Sequence, residues 1–301
     1  MSDSPPPHST LTLNSLRATT SLTYLLLLIT TIFYAVHPPA NDTHPPHNRF
    51  WQHNRPTPFA QSSIVTSIYW LVLFVLQLTG AYGLTARNAR YLTASIALGT
   101  HFVANNLLLF AFVMLFVRGY YWIAELLLVI NFANLTAAYF RHPTSPRLLH
   151  IGAVSGPLAW NFVGLYWCGA LAVNTNHVAA RIVAIVCVWG WVGFGAFFLA
   201  AYKDYTMGFA VAWLAFCKFL VSINCWRCVC VLIRGIATGL GQLLTSPYVL
   251  QLQYIFAFTI AGLLFVLSVA VGVPGLLGRD IVPRGQIVSE DQERAPLLAD
   301  E

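Results

Sequence analysis

Apolar runs of membrane-spanning length, separated by short polar breaks, fill most of the chain. They fall at about Thr19–Val36, Ser62–Leu84, Thr93–Val117, Tyr120–Phe140, Leu148–Val173, Val178–Tyr202 and Val249–Val273. A bilayer core takes roughly 20 helical residues, so each run predicts a transmembrane helix. The breaks carry Arg87 and Arg90, Arg118–Gly119, Arg141 to Arg147, Asn174 to His177, and Lys203–Asp204. Such short breaks suit a compact bundle. Residues 1–18 are polar and Pro-rich, and they predict a disordered lead. Residues 37–61 form the one long loop, and their prolines exclude a helix there. Residues 275–301 form a polar tail. A cleaved signal peptide competes with an uncleaved first span; the long polar lead and the lack of an A-x-A site favour the span.

Residues 207–244 break the pattern. These 38 residues are too long for one span and too short for two, and they contain Lys218, Arg227 and Arg234. A charge at the bilayer centre costs about 3 kcal/mol on insertion scales. Removing the 18 residues Cys217–Arg234 leaves 20, which make one good span. The removed piece opens Cys-Lys-Phe, and the codons TGT AAG TTT would contain GTAAGT, a consensus-like intron start. It also holds four of the six cysteines, including Cys225-x-x-Cys228. A retained intron and a genuine re-entrant or interfacial segment are the two readings. Counted as one span, the region brings the total to about eight.

Composition sharpens the class. Apolar residues make up 57% of the chain and charged residues only 9%, against roughly 25% charged in soluble domains. Too few charges exist to wet a soluble surface, so the fold class is all-α, a polytopic transmembrane helix bundle over residues 19–274, with the lipid bilayer as its main partner. The net charge of +6 comes without a basic stripe, which excludes a nucleic-acid surface. With the N terminus cytosolic, Arg17, Arg87, Arg90, Arg141, Arg147, Lys203, Arg279, Arg284 and Arg294 lie inside. Arg49, Arg55, Arg118 and Arg181 lie outside. This excess obeys the positive-inside rule. It also puts the long loop in the lumen, where Asn41-Asp-Thr43 is a glycosylation sequon.

Val154–Tyr205, VSGPLAWNFVGLYWCGALAVNTNHVAARIVAIVCVWGWVGFGAFFLAAYKDY, and Leu252–Val271, LQYIFAFTIAGLLFVLSVAV, carry a resemblance. They resemble a fungal family of polytopic membrane proteins of unknown function, with similarity from about Leu22 to Pro274. The resemblance implies an integral membrane protein and supplies no catalytic residues. Family members pass directly from AWLA-like residues to a G-x-G-x-G-Q-like stretch, whereas this chain carries the Cys217–Arg234 insert between them.

The candidate chemistry is a polar layer. His101 and Asn105 stand i, i+4 on one helix, with Asn106 adjacent, and Asn131 and Asn134 stand i, i+3 on the next. Counting roughly 1.5 Å per residue from the Arg118–Gly119 turn places Asn105 and Asn131 near the midplane, and Asn161 reaches the same level. Glu125 lies closer to the outer surface. One reading is a small-molecule or ion site, with His101 or Glu125 titrating, in a transport- or sensing-type bundle. The other is interhelical hydrogen-bond glue in a structural or trafficking component. A membrane-embedded lipid-modifying enzyme using His101 or Glu125 is a third; no H-E-x-x-H, G-x-S-x-G or P-loop is present, which disfavours catalysis. His44-Pro-Pro-His47 reads as solvated loop, so neither a metal nor a cofactor is assigned. Glu293-x-x-x-Leu297-Leu298 has the form of an acidic dileucine signal for a clathrin-type adaptor, which predicts an endomembrane, vacuole-like address rather than the plasma membrane.

Overall fold

The computed structural model describes residues 10–37, 50, 59, 63–86, 88–142, 145–173, 183, 186–223 and 247–276. Every regular element among them is helical. In order these are α1 (Thr10–Val36), α2 (Ser63–Gly83), α3 (Ala89–Phe116), α4 (Tyr121–Arg141) and a one-turn α5 (Arg147–His150). A π-helical turn (Ile151–Ser155) then leads into α6 (Gly156–Ala172), α7 (Gly190–Tyr202), α8 (Tyr205–Ile223) and α9 (Pro247–Leu276). Five units are long and apolar enough to cross a membrane: α1, α2, α3, α4 and the continuous rod from α5 to α6. Three shorter apolar stretches lie in α7, α8 and α9, so the described residues hold eight apolar helical units, in line with the about eight spans the sequence predicts.

The surface these helices present excludes water as their solvent. Leu22, Ile29, Leu71, Val75, Trp122 and Leu126 are each more than half exposed and form the outer faces of α1, α2 and α4. Exposed apolar patches of this extent mark a lipid-facing surface. The inner faces are filled largely by aromatic rings. Phe162 and Phe194 stack at 3.9 Å, and Trp70 meets Trp160 edge-on at 4.8 Å, which ties α6 to α7 and to α2.

Three features differ from the sequence expectation or refine it. Helix α1 begins at Thr10, inside the segment expected to be a disordered lead. Leu16 presses against Gly99 of α3, and Arg17 Nε donates to the carbonyl of Leu84 at 2.9 Å. That guanidinium therefore sits at the carbonyl end of α2, where a helix favours a cation. Helix α8 runs through Cys217 to Ile223, so the anomalous stretch opens as helix. The reason is that the apolar run of α8 continues through these residues. Residues 224–234 lie outside the described set.

The third feature is the π turn. Pro157 has no N–H with which to continue the ladder, and its ring crowds the carbonyl four residues back. The helix widens here: the Gly156 N–H reaches the carbonyl of Ile151, five residues back. The widened turn lies against α2, and it can do so because residue 152 is glycine. A Cβ on Gly152 would stand 2.4 Å from the Leu76 carbonyl oxygen, which belongs to backbone and cannot swing away. Gly164, in contrast, would place a Cβ at ordinary contact distance, 3.5 Å from Trp160 and 3.6 Å from Leu128. We predict that Gly152→Ala lowers stability by about 2 kcal/mol or more, while Gly164→Ala is neutral within error. Thermal unfolding of both variants in detergent checks this. Equal behaviour of the two variants would contradict the close crossing of α2 and the π turn.

Candidate functional site: a polar seam through three helices

Helices α3 and α4 form an antiparallel hairpin closed by Val117–Tyr120, where Gly119 supplies the positive φ of +83°. Arg118 Nη1 donates to the Met114 carbonyl at 2.7 Å and so satisfies one of the last carbonyls of α3. Helix α6 packs against α4 as well, and its Trp160 and Trp167 rings meet Phe112 and Phe116 of α3. The hairpin sets the register that brings the polar residues together. Asn131 lies ten residues from the start of α4, roughly 15 Å deep, about half of a bilayer core.

The asparagines form a ladder across the three helices. Asn131 Nδ2 donates to Asn105 Oδ1 of α3 and to Asn161 Oδ1 of α6, both at 3.0 Å. Asn161 Nδ2 donates to the Leu128 carbonyl at 2.9 Å, and Asn105 Nδ2 donates to Asn106 Oδ1 at 3.2 Å. Asn105, Asn106, Asn131 and Asn161 have no exposed surface at all. The chain of bonds leaves one donor, Asn106 Nδ2, and one acceptor, Asn131 Oδ1, buried without a partner.

One turn further along, His101 Nδ1 lies 2.8 Å from Asn134 Oδ1, and Asn134 Nδ2 donates to the His101 carbonyl at 3.1 Å. The amide oxygen is an acceptor, so the ring nitrogen facing it carries the proton. Both residues are half-buried. The His142 ring, just past α4, meets the His101 ring at 6.1 Å between centroids. Burial, and then the neighbouring His101 and Arg141, hold the His142 imidazole below its ordinary pKa.

Glu125 stands apart from this seam. It is half-buried one turn into α4 with Gly169 of α6 alongside, while the neighbouring Cys168 thiol donates to the Tyr121 carbonyl at 3.4 Å. Glu125 Oε2 is buried without a partner. The structure thus bonds Asn105, Asn131 and Asn161 to one another and His101 to Asn134, as two neighbouring groups, and leaves Glu125 apart from both. Asn41, Glu293, Leu297 and Leu298 lie outside the described residues.

Sequence reasoning missed a second polar cluster, made by Tyr139, His150, Ser155 and Asp204. Each sits at or near a helix end, where a polar residue reads as a connecting segment. The available signal was that two breaks counted on the same side, Arg141 to Arg147 and Lys203–Asp204, both carry charge. Among the described residues no group of three or more His, Cys, Asp or Glu side chains is arranged to hold a metal.

With this geometry in place, comparison with known proteins adds one relation. Residues 181–224 and 227–298 match the family described as "Fungal protein of unknown function (DUF1774)". The matched part begins well after Leu22, so the resemblance is carried by the C-terminal portion, from the approach to α7 through α9 into the tail. It is interrupted only at residues 225–226, inside the Cys217–Arg234 stretch. No curated protein matches the chain, and no solved structure matches it. The protein is an integral membrane helix bundle, and the polar seam lies in α3, α4 and α6, ahead of the matched residues.

Proposed function

We propose that this membrane protein is of sensing type, with a ligand-facing rim made by His101, Asn134 and His142 above a sealed asparagine floor. The observation that supports this reading most is the contrast in burial along the seam. The four deep asparagines are completely enclosed and bonded to one another, while His101 and Asn134 remain half-buried. A conduit through the seam would have to break the bonds among Asn105, Asn131 and Asn161, and each freed amide would face hydrocarbon at a cost of several kcal/mol. A rim above a fixed floor binds without that cost. A lipid-modifying enzyme that used His101 and Glu125 together is disfavoured by their spacing. His101 is bonded to Asn134, nine residues or roughly 14 Å along α4 from Glu125, too far for both to act on one bond.

The test uses a variant lacking the six native cysteines, into which single cysteines are placed. A small membrane-permeant thiol reagent should label His101→Cys and leave Asn131→Cys untouched. Rapid labelling at both positions would mean water reaches the floor, and the transport reading would then replace the sensing one.

The acidic dileucine form Glu293-x-x-x-Leu297-Leu298 supports an endomembrane, vacuole-like residence reached through a clathrin-type adaptor. Replacing Leu297 and Leu298 together by alanine should move a tagged protein to the cell surface. An unchanged distribution by fluorescence microscopy would remove the address.

A further inference from the structure

The cluster missed by the sequence lies where α4, the π turn and the α7–α8 junction meet. Lys203 there adopts the left-handed conformation (φ 50°) and turns the chain so that Asp204 stands at the head of α8. Asp204 Oδ1 accepts the backbone N–H groups of Thr206 at 3.0 Å and Met207 at 3.2 Å, together with the Thr206 hydroxyl. That oxygen is committed to capping α8. The other, Oδ2, accepts the Tyr139 hydroxyl at 2.9 Å and the Ser155 hydroxyl at 3.1 Å. Ser155 Oγ in turn lies 2.9 Å from His150 Nδ1.

Proton counting fixes the direction of these bonds. An ionised carboxylate only accepts, and a hydroxyl has one proton to give. The Ser155 proton therefore points at Asp204, and the contact between Ser155 and His150 is made by an Nδ1–H on the ring. A neutral imidazole in that tautomer carries its lone pair on Nε2. His150 Nε2 is buried and has no hydrogen-bond partner. An unprotonated nitrogen thus stands at one end of a hydrogen-bonded chain whose other end is a carboxylate.

The neighbours of this chain come from several elements. His142 and Asp204 act on His150 electrostatically, and the Tyr139 ring of α4 meets the His150 ring edge-on at 4.9 Å. Tyr202 of α7 faces Tyr139, and Lys203 adjoins Asp204 in the chain. The Arg147 guanidinium is engaged elsewhere, donating to the Tyr205 hydroxyl at 2.9 Å while lying over its ring.

We propose that His150, Ser155 and Asp204 form a proton-binding relay at this junction, with His150 Nε2 as the entry and Asp204 as the store. A proton arriving at Nε2 forms an N–H bond there. The Nδ1–H bond breaks and its proton passes to Ser155 Oγ, while the original hydroxyl proton passes to Asp204 Oδ2. The ring ends neutral in the other tautomer, the serine is unchanged, and the carboxylate has become a carboxylic acid. One proton is taken up and no buried cation is left behind. The consequence is mechanical as well, because the group that caps α8 and holds Tyr139 loses its charge. The relay shares no hydrogen bond with the His101 rim and does not rest on the sensing reading.

The full chain in lipid nanodiscs supplies the test, by nitrogen NMR of labelled histidines and by infrared difference spectra between neutral and acidic buffer. The His150 signal, identified by its loss in His150→Gln, should report the Nδ1–H tautomer at neutral pH. Ser155→Ala, which leaves the α8 cap in place, should return it to Nε2–H, and Ser155→Thr should restore Nδ1–H. Acidification should produce a carboxylic C=O band that is lost completely in Asp204→Asn, a substitution that keeps a good capping side chain. An Nε2–H tautomer in the unmodified protein, a tautomer indifferent to Ser155→Ala, or no Asp204-dependent band while the protein stays folded would each overturn the relay.

Discussion

Lipid offers no hydrogen bonds, so every polar group that α3, α4 and α6 carry into the membrane must find its partner within the bundle. The Asn131 side chain sits where that requirement converges. Its single amide nitrogen serves an oxygen on each neighbouring helix, and those two asparagines then reach Asn106 and the Leu128 carbonyl. Lipid tails are as apolar as leucine, so burial of apolar surface gives these helices no reason to prefer one rotation over another. The ladder gives that reason. A rotation of α3 or α6 by one residue leaves buried amides unpaired, and the aromatic contacts that surround the ladder follow from the register it sets.

The rest of the bundle reflects the same demand for internal partners and close approach. Gly152 lets the π turn lie against the backbone of α2, and Pro157 is the cause of that turn. Arg17 and Arg118 spend their guanidinium groups on carbonyls at helix ends. Asp204 is a charge at a helix junction, with both of its oxygens occupied by donors from α4, the π turn and α8. Polar groups with a partner hold the fold, and His150 Nε2 and Glu125 Oε2 are among the buried atoms without one.

Much of this was legible in the chain, because spans and depth follow from counting. Seven apolar runs, with 207–244 counted as one more span, gave about eight helices, and distance from the Arg118–Gly119 turn placed Asn105, Asn131 and Asn161 at one level, where the structure bonds them. Three things were not legible. The extension of α1 to Thr10 depends on Leu16 meeting Gly99, a tertiary contact with no local signature. The separation of Glu125 from His101 depends on which face of α4 each neighbour covers. The Asp204 cluster depends on a π turn, whose one-residue offset no helical periodicity anticipates, and it is this offset that sets Ser155 beside His150.

The pairing of Asn131 with Asn161 is the claim on which the account stands, and a double-mutant cycle measures it without counting the cost of either truncation alone. Reversible unfolding in bicelles of the unmodified chain, Asn131→Ala, Asn161→Ala and the double variant gives the coupling energy directly. The account predicts a favourable coupling of about 1 kcal/mol, toward the upper part of the range measured for interhelical hydrogen bonds in lipid. Additive single effects, with no coupling, would contradict it and reduce the ladder to coincidence of position.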